Sequence, residues 1–402
     1  MKLRIVVLGY IVRGPLGGMT WWQLHYLMGL ARLGHDVYFL EDSDEYPSCY
    51  NPQHDTVAAD PAYGLRFAER ELGRAGFGAR WAFYDAHTDT WHGPAATRIL
   101  PVCASADLLL DLCGVNPLRG WVLEIPCRVL IDGDPAFTQI RHMTEPATRA
   151  RAAAHTAYFT LGENIGRPGC QIPDDGFPWR PTRQPVVLDA VRVAPPSRDG
   201  AFRTVMLWSS YAPRTFGDRR FGMKADSFAP YLDLPARLPA RFELAVGSPD
   251  APRELLCAHG WDIVDPRIPS CDVATYEAYI AASKAEFTVA KHGYVISHSG
   301  WFSERTAAFL ATGRPALVQD TGFTEWLAAD AGIVAFDCLD AAIAGAEDIE
   351  RRYELHCRRA RDMAEAYFDA RPILSTLIDE AMVATPTVRK NLPGEGPRKT
   401  VA

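Results

Sequence analysis

Residues 3–9 (LRIVVLG) form an unbroken apolar run rich in branched side chains, which predicts a strand buried on both faces of a parallel sheet. A glycine-bearing loop follows, from Arg13 to Thr20. Leu24, Leu27, Met28 and Ala31 then recur at helical spacing, and Gly34 is placed to end that helix. Residues 36–40 (DVYFL) read as a second strand closing on Glu41 and Asp42, which completes a βαβ unit. Apolar runs at 107–112, 127–131 and 158–161 predict further strands of the same sheet.

Between 165 and 200 the chain turns rich in Pro, Gly and Arg, which places an interdomain linker near 194–201. The pattern then restarts, with candidate strands at 204–208, 242–246, 285–290 and 315–319. Two successive α/β units, each opening with a buried strand, predict an α/β protein with two Rossmann-like domains facing a cleft. The expected boundaries are 1–195 for the first domain, 200–348 for the second, 349–384 for a long amphipathic helical region and 385–402 for a flexible tail.

Composition narrows the function only a little. A chain of 402 residues with 48% hydrophobic content is too long for one compact core. The formal net charge of −7 offers no global positive field, so nucleic acid is not expected as a partner. No run of 18 apolar residues occurs, so no membrane insertion is expected. The first residues lack a long apolar core and a small-residue cleavage site, and read as a strand rather than a signal peptide. Nine scattered cysteines without a C-x-x-C pair suit reduced thiols in a cytoplasmic protein.

Residues 298–322 (HSGWFSERTAAFLATGRPALVQDTG) carry the most chemistry. They read as a tight turn at Ser299 and Gly300, a helix from Ser303 to Thr312, a break at Gly313, and a buried strand ending in Asp320, Thr321 and Gly322. A helix start presents unpaired N–H groups and a positive dipole end, which suit a diphosphate. This stretch resembles the donor-binding motif of GT-B-fold glycosyltransferases. His298, Gly300, Trp301 and Ser303 match the H-x-G-W-x-S start of the family that glycosylates small molecules, including natural products. Gly313 and Pro315 match the G-x-P segment, and Asp320-Thr321-Gly322 the segment beside the donor sugar.

The resemblance implies a nucleoside-diphosphate sugar, UDP or TDP, as co-substrate, with no further cofactor and no metal. It implies donor contacts from His298, Ser299, Gly300, Trp301, Ser303, Asp320, Thr321 and Gly322, and from Glu304 to the ribose. Glu304 also reads as a first-turn acid favoured by the helix dipole. Gly17 and Gly18, in the loop after the first strand, would face the donor phosphates; they also read as plain turn glycines. Ser209 would lie near the phosphates, and Lys224, or Arg219 in its place, would neutralise the leaving diphosphate. Trp21 and Trp22 are candidates for an acceptor pocket or for core packing. Residues 261–268 fall where this fold holds the nucleotide base.

Asp132 and Asp134, in the VLIDGDP segment, are the candidate catalytic acids, with Asp134 preferred as general base. His25 and His298 are alternative bases. The expected reaction is glycosyl transfer to a hydroxyl or amine of a small molecule. Sugar-nucleotide epimerisation or hydrolysis on the same fold is an alternative. A nicotinamide-dependent dehydrogenase is another, suggested by Glu41 after the second strand but lacking G-x-G-x-x-G. Donor, acceptor and oligomeric state stay open.

Overall fold

The computed structural model describes residues 2–385. The expected tail lies, apart from Thr385, outside the described residues.

The first sheet is built from β1 (Arg4–Leu8), β2 (Asp36–Asp42), β5 (Trp81–Asp85), β6 (Thr90–His92), β7 (Leu108–Leu112), β8 (Cys127–Asp132), β9 (Ala157–Thr160) and β10 (Trp179–Pro181). A separate hairpin, β3 (Cys49–Asn51) and β4 (Thr56–Ala58), rises from the loop after β2. The strand order is β10-β9-β8-β7-β1-β2-β5-β6, parallel except for the edge strand β6. Ile5, Val6 and Val7 are fully buried, as a central parallel strand requires.

The second sheet contains β11 (Phe202–Leu207), β14 (Phe242–Gly247), β15 (Asp262–Val264), β16 (Ala285–Thr288), β17 (Ala316–Gln319) and β18 (Ile333–Phe336). Its order is β15-β14-β11-β16-β17-β18, parallel throughout. The hairpin β12 (Arg214–Phe216) and β13 (Arg219–Phe221) follows β11. In each sheet the chain runs outward in one direction and then returns to build the other half. The reversal falls between β1 and β7 in the first sheet and between β11 and β16 in the second. Such switch points leave a crevice at the carboxyl ends of the strands, where ligands of open α/β sheets bind.

Two features depart from the sequence expectations. The helix Gly17–Arg32 is buried over almost its whole circumference, polar Thr20, Gln23 and His25 included. Helices Val273–Ala282 and Ala370–Ala384 both pack on it, so a face that reads as polar still lies inside. The helical region expected from 349 to 384 begins earlier, at Leu339, and comprises three helices, Leu339–Arg351, Tyr353–Tyr367 and Ala370–Ala384. The last crosses back to the first sheet: Val186 pairs with Asp369, and the Cys127 thiol points at the Ala381 carbonyl. Among the described residues no helix is long and apolar enough to cross a membrane.

Candidate active site

A cleft of about 560 Å³ opens where the two switch points face each other. Tyr10, Arg13 and Gly14 reach it from the loop after β1, Cys113 and Val115 from beyond β7, and Gly133 and Asp134 from beyond β8. The second domain supplies Tyr211, from beyond β11, and Lys291 and Tyr294, from beyond β16.

Asp132 and Asp134 have separate tasks. Asp132 is 2% exposed and faces inward. Its carboxylate accepts bonds from the Thr138 hydroxyl at 2.6 Å, the Thr160 hydroxyl at 2.8 Å, the Gln139 amide at 3.1 Å and the Asp134 backbone N–H at 2.8 Å. Burial pushes its carboxyl up, against those bonds. A carboxylate so occupied is no base for a ligand, which corrects the expectation of a catalytic Asp132. It fixes the turn that aims Asp134 into the cleft. Ala136 in that turn sits at φ +70°, a conformation rare for a residue with a Cβ.

Asp134 accepts bonds from Lys291 Nζ at 2.9 Å, the Tyr294 hydroxyl at 2.5 Å and the Tyr211 hydroxyl, all from the second domain. Burial acts to raise its carboxyl, but the Lys291 charge and the three bonds outweigh it and hold Asp134 below the usual range. Burial and the Asp134 charge push both tyrosines up. Lys291, Tyr211 and Tyr294 were not anticipated. Lys291 follows a buried strand at its carboxyl end, and that position was the available signal.

Glu41 organises the N-terminal loop. It is fully buried and accepts the backbone N–H groups of Ile11, Val12 and Arg13, each at 2.7 Å. Burial, opposed by Arg13 and these amides, pushes its carboxyl up to about 7. Glu41 therefore holds protein backbone, which removes the basis for a nicotinamide-ribose contact. Gly17 and Gly18 do not open on the cleft. A Cβ on Gly17 would lie 2.2 Å from the Asp272 carbonyl oxygen, and one on Gly18 would lie 3.1 Å from the Tyr276 ring. The Gly17 N–H is taken by the Ser270 carbonyl at 2.8 Å. These glycines let the two domains touch. Trp21 and Trp22 are 2% and 5% exposed and belong to the core, so they line no acceptor pocket. His25 is also core: its Nδ1 accepts the Val187 N–H at 2.8 Å, and burial, with Arg32, lowers it to about 3.

The motif at 298–322 folds into an interdomain joint. Gly300, at φ +70°, donates its N–H to the Thr321 carbonyl at 2.8 Å. The Trp301 N–H goes to the Ser299 hydroxyl at 3.2 Å, and its indole N–H to the Gly133 carbonyl at 3.2 Å. Thr321 bonds back to the Trp301 carbonyl at 2.6 Å. Asn164 of the first domain closes the knot, donating to the His298 carbonyl at 3.1 Å and the Gly322 carbonyl at 2.8 Å. The amides of Gly300 and Trp301 are therefore spoken for, which corrects their expected role as a phosphate cradle. The Asp320 carboxylate caps the Gly322 N–H and the Thr324 hydroxyl. The His298 side chain is exposed at φ +45°.

Ser303 caps the helix Glu304–Ala311 by accepting the Arg305 N–H at 3.2 Å. Glu304, half-buried, lies close enough for its charge to act on Tyr10, Lys224 and Tyr276. Lys224, at the start of the helix Lys224–Phe228, sits in the same region and has no hydrogen bond or ion pair among the described residues. Burial, then Arg305, lowers its ammonium well below the usual value, with Glu286 and Glu304 opposing. Ser209 is bound to Asp250 at 2.6 Å, and Arg219 to Gln171. Among the described residues no three His, Cys, Asp or Glu side chains converge as a metal site.

No known family profile matches the chain, and no curated protein matches it. Solved structures do. An α-glucosyltransferase in complex with UDP and a 13-mer DNA superposes with a TM-score of 0.57 at 10% identity, over 95% of this chain and 100% of that one. The Anabaena protein HepE, in complex with UDP and glucose, gives 0.54 at 10% identity, over 95% and 100%. A glycosyltransferase of avilamycin A biosynthesis gives 0.50 at 14% identity, over 95% and 97%. The chain has the GT-B fold. The expectation that excluded nucleic acid falls with it, because several GT-B neighbours are glucosyltransferases in complex with DNA. Net charge sums the whole surface, whereas binding answers to where charges gather. In this GT-B cleft Arg13, Arg141 and Lys291 gather despite the overall −7.

Proposed function

We propose that the chain transfers a glycosyl group from a nucleoside-diphosphate sugar to a hydroxyl of a small-molecule acceptor. Lys224 carries this reading. It is a half-buried cation without a bonded counter-ion among the described residues, close enough to Glu304, Arg305 and Lys291 to feel their charges. An arriving diphosphate supplies the ammonium with a counter-charge. The ammonium in turn stabilises the negative charge that builds on the departing phosphate as the glycosidic bond breaks. Glu304 and Tyr10 share that region and suit the sugar or ribose hydroxyls. Across the cleft, Asp134 is held ionised by Lys291 and suits orienting the acceptor hydroxyl.

A cleft of about 560 Å³ is in the range of small-molecule sites and supports a compact acceptor. The test is a panel of UDP-, TDP- and GDP-sugars, read by protection from thermal unfolding and by nucleoside-diphosphate release. Labelled donor without acceptor separates hydrolysis and epimerisation from transfer. An oligonucleotide acceptor runs beside the small molecules. If no nucleotide protects and no donor is consumed, the proposal is wrong.

A further inference from the structure

The cleft holds more positive charge than its ion pairs use. Its lining includes Arg13, Arg141 and Lys291 but one carboxylate, Asp134. Lys291 is matched by Asp134 at 2.9 Å. The other two cations of the lining, Arg13 and Arg141, are guanidinium groups of the first domain, and among the described residues neither has a carboxylate oxygen within 3.5 Å. Arg13 spends Nη1 on the carbonyls of Asp42 and Val115, at 2.9 and 3.2 Å, and Nη2 lies 3.4 Å from the Tyr46 hydroxyl. Its Nε–H is buried without an acceptor. The Nε–H of Arg141 is buried without an acceptor as well. Its Nη2 has only a long contact to the Thr138 hydroxyl, at 3.5 Å, and lies 4.0 Å from Asp134. The buried Nε–H groups do not open on the cleft, so a ligand there is met by the guanidinium ends, of which that of Arg141 makes only the long contacts just given.

The rim of the same cleft is apolar. Met19, Tyr46 and Val57 line it and stay 37%, 53% and 59% exposed. An exposed apolar rim over unmatched guanidinium groups fits a ligand with an apolar or aromatic body and an acid group.

We infer that the acceptor is a hydroxylated, apolar or aromatic acid whose carboxylate or phosphate is received by Arg141 and Arg13. The word acceptor rests on the glycosyl-transfer reading; the binding chemistry does not. The arginines set which molecule enters.

The test is calorimetric titration of the full chain with para-hydroxybenzoate, para-hydroxycinnamate and para-hydroxyphenyl phosphate, and with the methyl esters of the two carboxylates. At least one acid is expected to bind about tenfold or more tighter than its uncharged counterpart, the loss that goes with one charge-assisted bond. Arg141→Gln is expected to remove that preference and leave the ester's affinity in place. Arg141→Lys, which keeps the charge but not the fork, is expected to fall between. Thermal unfolding of the unliganded variants shows whether they fold. Equal binding of acid and ester, no binding by any acid, an Arg141→Gln variant that keeps the preference, or one that loses UDP affinity alone would overturn the inference. So would an oligonucleotide that binds through Arg141 where none of the small acids does. UDP titration runs in parallel: acid binding without UDP binding sinks the transferase reading and spares this one.

Discussion

Asp134 of the first domain and Lys291 of the second meet at 2.9 Å across the cleft, both mostly buried. With Tyr211 and Tyr294 they form a polar contact that spans the domains in the cleft.

Asp134→Asn leaves Lys291 without its counter-charge in a mostly buried setting. Breaking such a pair costs about 1–3 kcal/mol after allowance for its partial exposure, and transfer activity is expected to fall about a hundredfold or more. Because the folded carboxyl titrates below its ordinary 3.8, its contribution is full above that value. It is lost as pH falls through the lowered folded value. Denaturant unfolding of wild type and variant from pH 6 to pH 3 reads the difference, which should shrink toward the acid end.

Lys224→Gln is expected to weaken UDP binding about tenfold or more, since a charge-assisted bond to phosphate is lost. The wild-type ammonium is held below its ordinary value by burial and Arg305, so part of it loses its proton before the usual alkaline range. UDP binding should then take up a proton and weaken as pH rises. Titration calorimetry in two buffers of different ionisation enthalpy measures that uptake; the variant should show none.

Glu41→Gln replaces an acceptor of three backbone N–H groups by an amide with one acceptor oxygen. A stability loss of about 2 kcal/mol is expected, with faster hydrogen exchange at Ile11, Val12 and Arg13. The wild-type carboxyl, pushed up to about 7 by burial, keeps its proton longer folded than unfolded, where 4.5 is ordinary. Its contribution should therefore decline as pH rises from 4.5 to about 7, a slope that the glutamine variant lacks.

Gly17→Ala puts a methyl group 2.2 Å from the Asp272 carbonyl oxygen, a backbone atom that cannot swing aside as a side chain would. The domains must move apart to admit it. Small-angle scattering should show an expanded molecule, and UDP affinity should fall although Gly17 is off the cleft. An unchanged scattering profile would count against the packing role.

Much of the fold was legible because burial on both faces leaves unbroken apolar strands such as LRIVVL and DLLLDL. Edge pieces were not. β18 (IVAF) and β15 (DIV) are short, and their pairing comes from neighbours distant in the chain. The sequence marked Gly17 as a phosphate-facing or turn glycine and Gly300 as a point of close approach, but could not say what each one meets. At Gly17 it is Asp272, and at Gly300 it is Asn164.

By itself the sequence determined that two parallel α/β units exist, where their central strands lie, and that Ser303 starts a helix, because those features follow from local pattern and capping. Only the tertiary structure decided which polar groups remain free. The Gly300 N–H, the Trp21 ring and the Asp132 carboxylate are all candidates in the string of residues, yet the fold uses up each one. Lys291, Arg141 and Asp134 reach the cleft because two switch points face each other. Contacts made across more than a hundred residues of chain carry no local signature, since the hydrogen bonds that use up a group come from elsewhere in the fold.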